Sequence, residues 1–280
     1  MFGFEKNKKA KILSLLNQKG GVGKTTLCFQ MAHAFKTQGK KVLCLDMDPQ
    51  ANLTLLFGID HCEQNLHHLL INSVRELKSL HTPLMWADIL IHKDGVDLLP
   101  AGQALSGMEL TVAGISGPRQ FILHRFLEKS GLLDQYDLIL IDGPPTLGLL
   151  VVNILCASDG ILVPFGADAF SRKGLGHFHQ VLEQIADMGV ERLPKILGYV
   201  PNLVDSRRKL TGEELASITQ DLLPLENAGQ IFPPIANRVQ LTRAQSERKS
   251  VFAFESKEYT ELKDQFLHLA QTINESWPTL

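Results

Sequence analysis

The stretch Gln18-Lys-Gly-Gly-Val-Gly-Lys-Thr-Thr26 constrains the fold of this chain more than any other. It follows an apolar run, Ile12-Leu-Ser-Leu-Leu16, and opens a helical pattern from Thr25 to Gln38. That pattern has Leu27, Met31, Ala34 and Phe35 at helical spacing, Lys36 in the last turn and Gly39 as a stop. A glycine-rich turn between a strand and a helix lets backbone N–H groups converge on phosphate oxygens, and the helix N-terminus adds favourable partial charge. Gly20, Gly21, Val22 and Gly23 form such a turn, Lys24 would reach the outer phosphates, and the hydroxyl of Thr25, followed by Thr26, would ligate Mg²⁺. The strict pattern G-x-x-x-x-G-K-[ST] is not met, because Gln18 stands where its first glycine should be. Lys19 is a second lysine in the same turn. On spacing alone it is either a side chain turned toward phosphate on a facing subunit or a solvated lysine.

Further apolar runs of strand length follow: Val42-Leu-Cys-Leu-Asp46, Val96-Asp-Leu-Leu99, Leu138-Ile-Leu-Ile-Asp142, Gly160-Ile-Leu-Val-Pro164 and Ile196-Leu-Gly-Tyr-Val200. Continuous apolar runs alternating with amphipathic stretches predict strands buried on both faces, joined by right-handed crossovers. The expectation is an α/β fold: three layers, with a doubly wound, mostly parallel sheet between helices. A length of 280 residues allows two domains. The unbroken pattern favours one domain over residues 1–280, with residues 1–10 as a flexible tail.

Composition excludes several classes. No run of about 18 apolar residues predicts a membrane span, and the start is too polar for a secretory leader, so a cytosolic protein is expected. Cys28, Cys44, Cys62 and Cys156 form no C-x-x-C pair, against zinc ribbons and iron–sulfur sites. His61, Cys62, His67 and His68 lack a zinc spacing and read as surface; His177 and His179 do not share a helix face. With 28 Lys+Arg against 30 Asp+Glu, the net charge of −2 argues against nucleic acid as a partner.

Three carboxylates close the site. Asp46 and Asp48 end the second apolar run, and Asp142 ends another with the form of a Walker B position. In a doubly wound sheet the carboxyl ends of the strands face the ligand crevice. One such Asp is commonly a helix cap or turn residue; three beside a phosphate loop favour function.

Together, Asn17-Gln-Lys-Gly-Gly-Val-Gly-Lys-Thr-Thr26, Asp46-Met-Asp-Pro-Gln-Ala-Asn-Leu-Thr54 and Ile141-Asp-Gly-Pro-Pro-Thr-Leu-Gly148 resemble the ParA/MinD branch of P-loop ATPases, and most nearly its ParA/Soj partition ATPases. Asn153 and Leu162-Val-Pro-Phe165 follow the same pattern, and the resemblance runs over roughly residues 10–270. It implies ATP and Mg²⁺ as cofactors and an ATP-bound homodimer in which Lys19 contacts the partner's nucleotide. Lys24 and Thr25 would hold phosphate and metal, Asp142 a metal-bound water, and Asp48 would orient the attacking water with Asp46 near the metal. Asn202 falls where the family often recognises adenine. Two departures stand out: Gly143 replaces a Thr, Ser or Cys, and Arg243 replaces a Glu.

The neutral average charge conceals local asymmetry. Arg207, Arg208 and Lys209 form one cluster; Arg238, Arg243, Arg248 and Lys249 face only Glu247 across residues 237–250. By resemblance, Arg207 or Arg208 and Arg238 would bind DNA phosphates without sequence preference; Arg243, a departure from the family, makes the segment more basic and is counted with them. The implied protein is a cytoplasmic, nucleoid-associated ATPase of chromosome or plasmid partition, released from DNA when a ParB-like protein stimulates hydrolysis. Related alternatives are positioning of another cargo, a cluster-carrying ATPase, and a MinD-like membrane ATPase. The last needs a basic amphipathic C-terminal helix, whereas residues 259–275 read as a docking helix, so no membrane partner is expected. No helix-turn-helix extension precedes the loop, so operator binding is not expected.

Overall fold

The computed structural model describes residues 9–77, 82–187, 190, 193–205, 209–222 and 229–277. Among the described residues eight strands form one sheet: β1 (Lys11–Leu15), β2 (Val42–Asp46), β3 (Ile91–Lys93), β4 (Val96–Leu99), β5 (Leu138–Asp142), β6 (Gly160–Phe165), β7 (Lys195–Pro201) and β8 (Gln230–Ile231), in the order β3-β4-β2-β5-β1-β6-β7-β8. Every pairing is parallel except β3 with β4. The expected strands are present within a residue at each end, and the mostly parallel α/β architecture is as expected.

The helices are α1 (Lys24–Thr37), α2 (Asn52–Leu56), α3 (Leu66–Ser73), α4 (Trp86–Ile89), α5 (Met108–Thr111), α6 (Ile122–Ser130), α7 (Leu149–Ala157), α8 (Ala169–Asp187), α9 (Lys209–Leu222), α10 (Val239–Ser246) and α11 (Thr260–Ser276). Side chains alternate across a strand, and the sheet uses both faces. Leu13, Leu15, Cys44 and Leu140 pack with α1, α10 and α11. Ile12, Leu43, Leu45, Ile139 and Ile141 pack with α3, α6, α7, α8 and α9. That is why the runs read as continuously apolar.

The C-terminal helix is sequestered. Leu262, Phe266, Leu269, Ala270 and Ile273 of α11 are buried in the core that includes α1. Gln38 donates to the Leu267 carbonyl at 3.2 Å and Asn274 donates to Gln38 at 2.7 Å. The apolar stripe a membrane would need is already covered. No helix among the described residues is long and apolar enough to cross a membrane.

His33, on α1, is only 4% exposed and packs edge-on against Phe29, and its Nε2 finds no hydrogen-bond partner among the described residues. Burial pulls its pKa down from 6.5 to about 4, against the attraction of Asp94. The fold therefore favours neutral imidazole: its contribution to stability is complete above pH 6.5 and is lost as pH falls toward 4. Charging this group should cost about 3 kcal/mol between pH 7 and pH 4. Denaturant melts of wild type and His33→Leu at both values measure it; the variant should lose that much less stability on acidification.

Candidate functional site

The strand order builds the site. β1 lies beside β5, and β5 beside β2, so Leu15 pairs with Asp142 and Asp142 with Asp46. Parallel neighbours about 4.8 Å apart end on one edge, which brings the phosphate loop and both acids together. Connections leaving β1 run to one side and those leaving β5 to the other, making this the switch point where such sheets bind ligands.

The loop is shaped by glycine and by two asparagines. Gly21 and Gly23 have φ of 77° and 78°, the left-handed region that costs a side chain strain. A Cβ on Gly23 would also lie 2.5 Å from Asn202 Nδ2. Asn202 is 2% exposed, and its Nδ2 donates to the carbonyls of Val22 (2.9 Å) and Gly23 (3.2 Å). It thus braces the loop from the end of β7 while lining a cleft of about 320 Å³ with Gly20 and Gly21. Sequence reasoning passed over Asn17 as a brace: its Oδ1 accepts from Lys19 N at 2.9 Å and its Nδ2 donates to Pro164 O at 2.8 Å. Its place directly before the loop was the available signal.

A second cleft, of about 540 Å³, is lined by Gly20, Lys24, Thr25, Thr26, Asp48 and Gln50, among others. Lys24 is 7% exposed, and its ammonium donates to Lys19 O at 3.3 Å. Burial lowers its pKa, and Asp142 and Asp48 pull it back up. Gln245, from α10, donates to Thr26 Oγ1 at 2.5 Å; no sequence signal marked it.

The acids differ in their surroundings. Asp142 is wholly buried and, among the described residues, neither oxygen has a hydrogen-bond partner of good geometry, the nearby Thr25 hydroxyl included; burial first, then Asp46, pushes its pKa well above the ordinary carboxylate value, against the proximity of Thr25 and Lys24. An orphaned buried carboxylate beside the Thr25 hydroxyl fits Mg²⁺, which takes few protein oxygens and keeps waters. Asp46 is also fully buried and raised to about 7 by burial, but the hydrogen bonds of Thr54 and the Asp48 amide oppose this. Asp48, 7% exposed, accepts from Gln50 N at 2.9 Å and lines the larger cleft.

Gly143 has a packing reason. A Cβ there would lie 2.3 Å from Leu16 Cδ2, so Leu16 fills the space a larger residue would take. Lys19 turns away from its own loop: its ammonium meets both Asp168 oxygens at 2.6 Å and Ser171 Oγ at 3.2 Å.

The C-terminal basic segment is less positive in space than in sequence. Arg238 pairs with Glu261 at 2.7 Å, Arg243 with Glu247 at 3.1 Å, Arg248 with Asp60 at 2.5 Å and Lys249 with Glu247 at 3.2 Å. Beside Glu247, which the segment itself carries, folding brings Glu261 to Arg238 and Asp60 to Arg248 from distant segments. Arg207 and Arg208 lie outside the described residues. His68 caps α3 through the Asn65 amide, His179 bonds the Tyr199 hydroxyl, and Cys28 and Cys44 are buried. No metal-holding cluster of His, Cys, Asp or Glu occurs among the described residues.

A family model described as an AAA domain matches residues 10–194. The chromosome partitioning protein ParA of Caulobacter vibrioides is 31% identical over 201 residues, covering 72% of each chain. The chromosome-partitioning ATPase Soj of Thermus thermophilus is 33% identical over 210 residues, covering 75% of this chain and 76% of that one. An uncharacterized Mycobacterium tuberculosis protein is 34% identical over 206 residues, and the match spans only 61% of its length. Among solved structures, the McdA–ATP complex of Cyanothece superposes with a TM-score of 0.78 at 23% identity, covering 98% of this chain and 99% of that one. The cobyrinic acid a,c-diamide synthase of Mycobacterium smegmatis with bound ADP and magnesium gives 0.75 at 29% identity, covering 96% and 95%.

Proposed function

The chain belongs to the ParA/Soj-type family of partition ATPases, and from that premise we propose that it is an ATP-hydrolysing positioning ATPase whose ATP-bound homodimer holds DNA without sequence preference. One observation carries the reading: a phosphate loop with two lysines in different surroundings, Lys24 buried near Asp142 and Asp48, Lys19 part-exposed and paired with Asp168. Mg²⁺ held through Thr25 and Asp142 would neutralise charge on the phosphates as the terminal group leaves. The Gly20–Thr26 turn and the start of α1 would bind and orient those phosphates through backbone N–H groups. Asp48 would hold the attacking water in line, so the protein's part is mainly positioning. Asn202, beside Gly23, would also meet the adenine.

Release from DNA would follow hydrolysis stimulated by a ParB-like protein, placing the protein on the cytoplasmic nucleoid. The family relationship equally suits a ParA-like ATPase that positions another cargo. The buried stripe of α11 disfavours the membrane alternative.

DNA binding would use Arg238 and Arg243, with Arg207 and Arg208. The exposed acid partners of Arg238 and Arg243 are weakly held and exchangeable for phosphate, and two copies in a dimer would act together. The test is phosphate release and a gel shift of nonspecific DNA at low salt with ATP, ADP or no nucleotide. ATP-dependent shifting that weakens steeply with salt is expected; no shift with ATP removes the DNA reading. Arg238→Glu should abolish the shift and leave ATP affinity unchanged.

A further inference from the structure

Asp46 is enclosed in a way Asp142 is not. Its Oδ1 accepts from Asp48 N at 3.2 Å, and its Oδ2 accepts from Thr54 N at 2.8 Å and Thr54 Oγ1 at 2.7 Å. Three of the roughly four acceptor positions of a carboxylate are thereby used by protein donors. The two donor residues bracket residues 49–53, so one buried side chain ties both ends of the segment that carries Gln50 and Asn52 into the larger cleft. Inside it, Asp48 O accepts from Ala51 N at 2.9 Å, and Ala51 takes a left-handed φ of 53°. A non-glycine residue in that region persists where the surroundings hold it.

Thr54 completes the tie. It is 2% exposed, and its hydroxyl donates to Asp46 while accepting from Ala101 N at 2.9 Å. Both capacities of the hydroxyl are used, joining the acid, the segment and the chain just beyond β4. Neither Asp46 nor Thr54 lines the larger cleft.

The geometry points to a division of labour, resting on the ATPase reading above, in which Asp46 with Thr54 is a positioning pair that fixes Asp48 and Gln50, while Asp142 is the acid that serves the metal. Thr54→Val keeps the shape and removes the hydroxyl; Thr54→Ser restores it. The valine variant should lose kcat on the order of 10²-fold, as a displaced catalytic group does. Its KM for ATP and the Mg²⁺ concentration that half-saturates binding of a fluorescent ATP analogue should stay within about twofold of wild type. Hydrogen exchange should quicken at the amides of Asp48, Gln50, Ala51 and Ala101 in the valine variant and recover in the serine variant with kcat. Asp142→Asn, in parallel, should raise the Mg²⁺ requirement for analogue binding. A valine variant that turns over normally, or one that shifts the Mg²⁺ requirement as Asp142→Asn does, overturns the assignment. Should valine prevent folding, Thr54→Ala carries the same comparison. Wild type that never hydrolyses ATP sinks the ATPase reading instead, whereas the exchange and Mg²⁺-binding measurements still decide the role of the pair.

Discussion

Asp48→Ala is expected to stop ATP turnover while nucleotide binding survives. Asp48 stands at the rim of the larger cleft, 7% exposed, with Oδ1 held by the Gln50 amide. It is close enough to Lys24 to raise that ammonium's pKa. Removing it deletes a negative charge from a site that must accept a polyanion, so ATP affinity should hold or rise slightly. Losing a group that positions or deprotonates water should lower kcat by about 10²–10⁴-fold. Titration calorimetry with ATP and Mg²⁺, beside a phosphate-release assay, separates the two effects. Turnover near the wild-type rate would move the water-orienting role to another residue. A parallel loss of binding would make Asp48 part of the nucleotide pocket rather than of the hydrolytic step.

The sheet was legible because its strands are buried on both faces: Leu138-Ile-Leu-Ile-Asp142 has no polar residue before its last position and lies at the centre of the sheet. β3 escaped because Ile91-His-Lys is a short edge strand with a polar middle, although Asp94 and Gly95, at φ of 49° and 75°, are the Asp-Gly pair that tight hairpins prefer. β8, only two residues long, has no periodicity to read. Within the site, the residues of the phosphate loop, the strand-end acids Asp46 and Asp142, and Asp48 two residues beyond β2 were visible because short-range spacing marks them. Gln245 reaches Thr26 across 219 positions of sequence, and Thr54 matters only through the bonds it makes; neither fact leaves a local mark. Charge is hard to read locally for the same reason. Glu247 is visible beside Arg243 and Lys249, but Arg238 finds Glu261 and Arg248 finds Asp60 only after folding.

Lys19→Ala should abolish ATP-dependent self-association while a single chain still binds ATP. In this structure the ammonium of Lys19 does not enter its own loop but rests on Asp168, the two side chains being 29% and 44% exposed. An ion pair that open to water is worth little, so its exchange for phosphate on a facing chain is energetically accessible. That phosphate would be shielded from solvent between two copies, where a charge-assisted contact is stronger. Losing it from both halves of a symmetric dimer counts twice, and self-association weakened by about 100-fold or more is the expected result. Light scattering with ATP in an Asp48→Ala background, where hydrolysis does not intervene, reads it directly. Asp168→Asn is the complementary variant: Asp168 Oδ1 also accepts from Ser171 N at 2.9 Å, a bond asparagine can keep while losing the charge that holds Lys19. It should dimerise at lower protein concentration than its parent. Normal dimers from Lys19→Ala would end the trans-contact reading. Weaker dimers from Asp168→Asn would mean that the Lys19–Asp168 pair survives in the dimer instead of giving way to it.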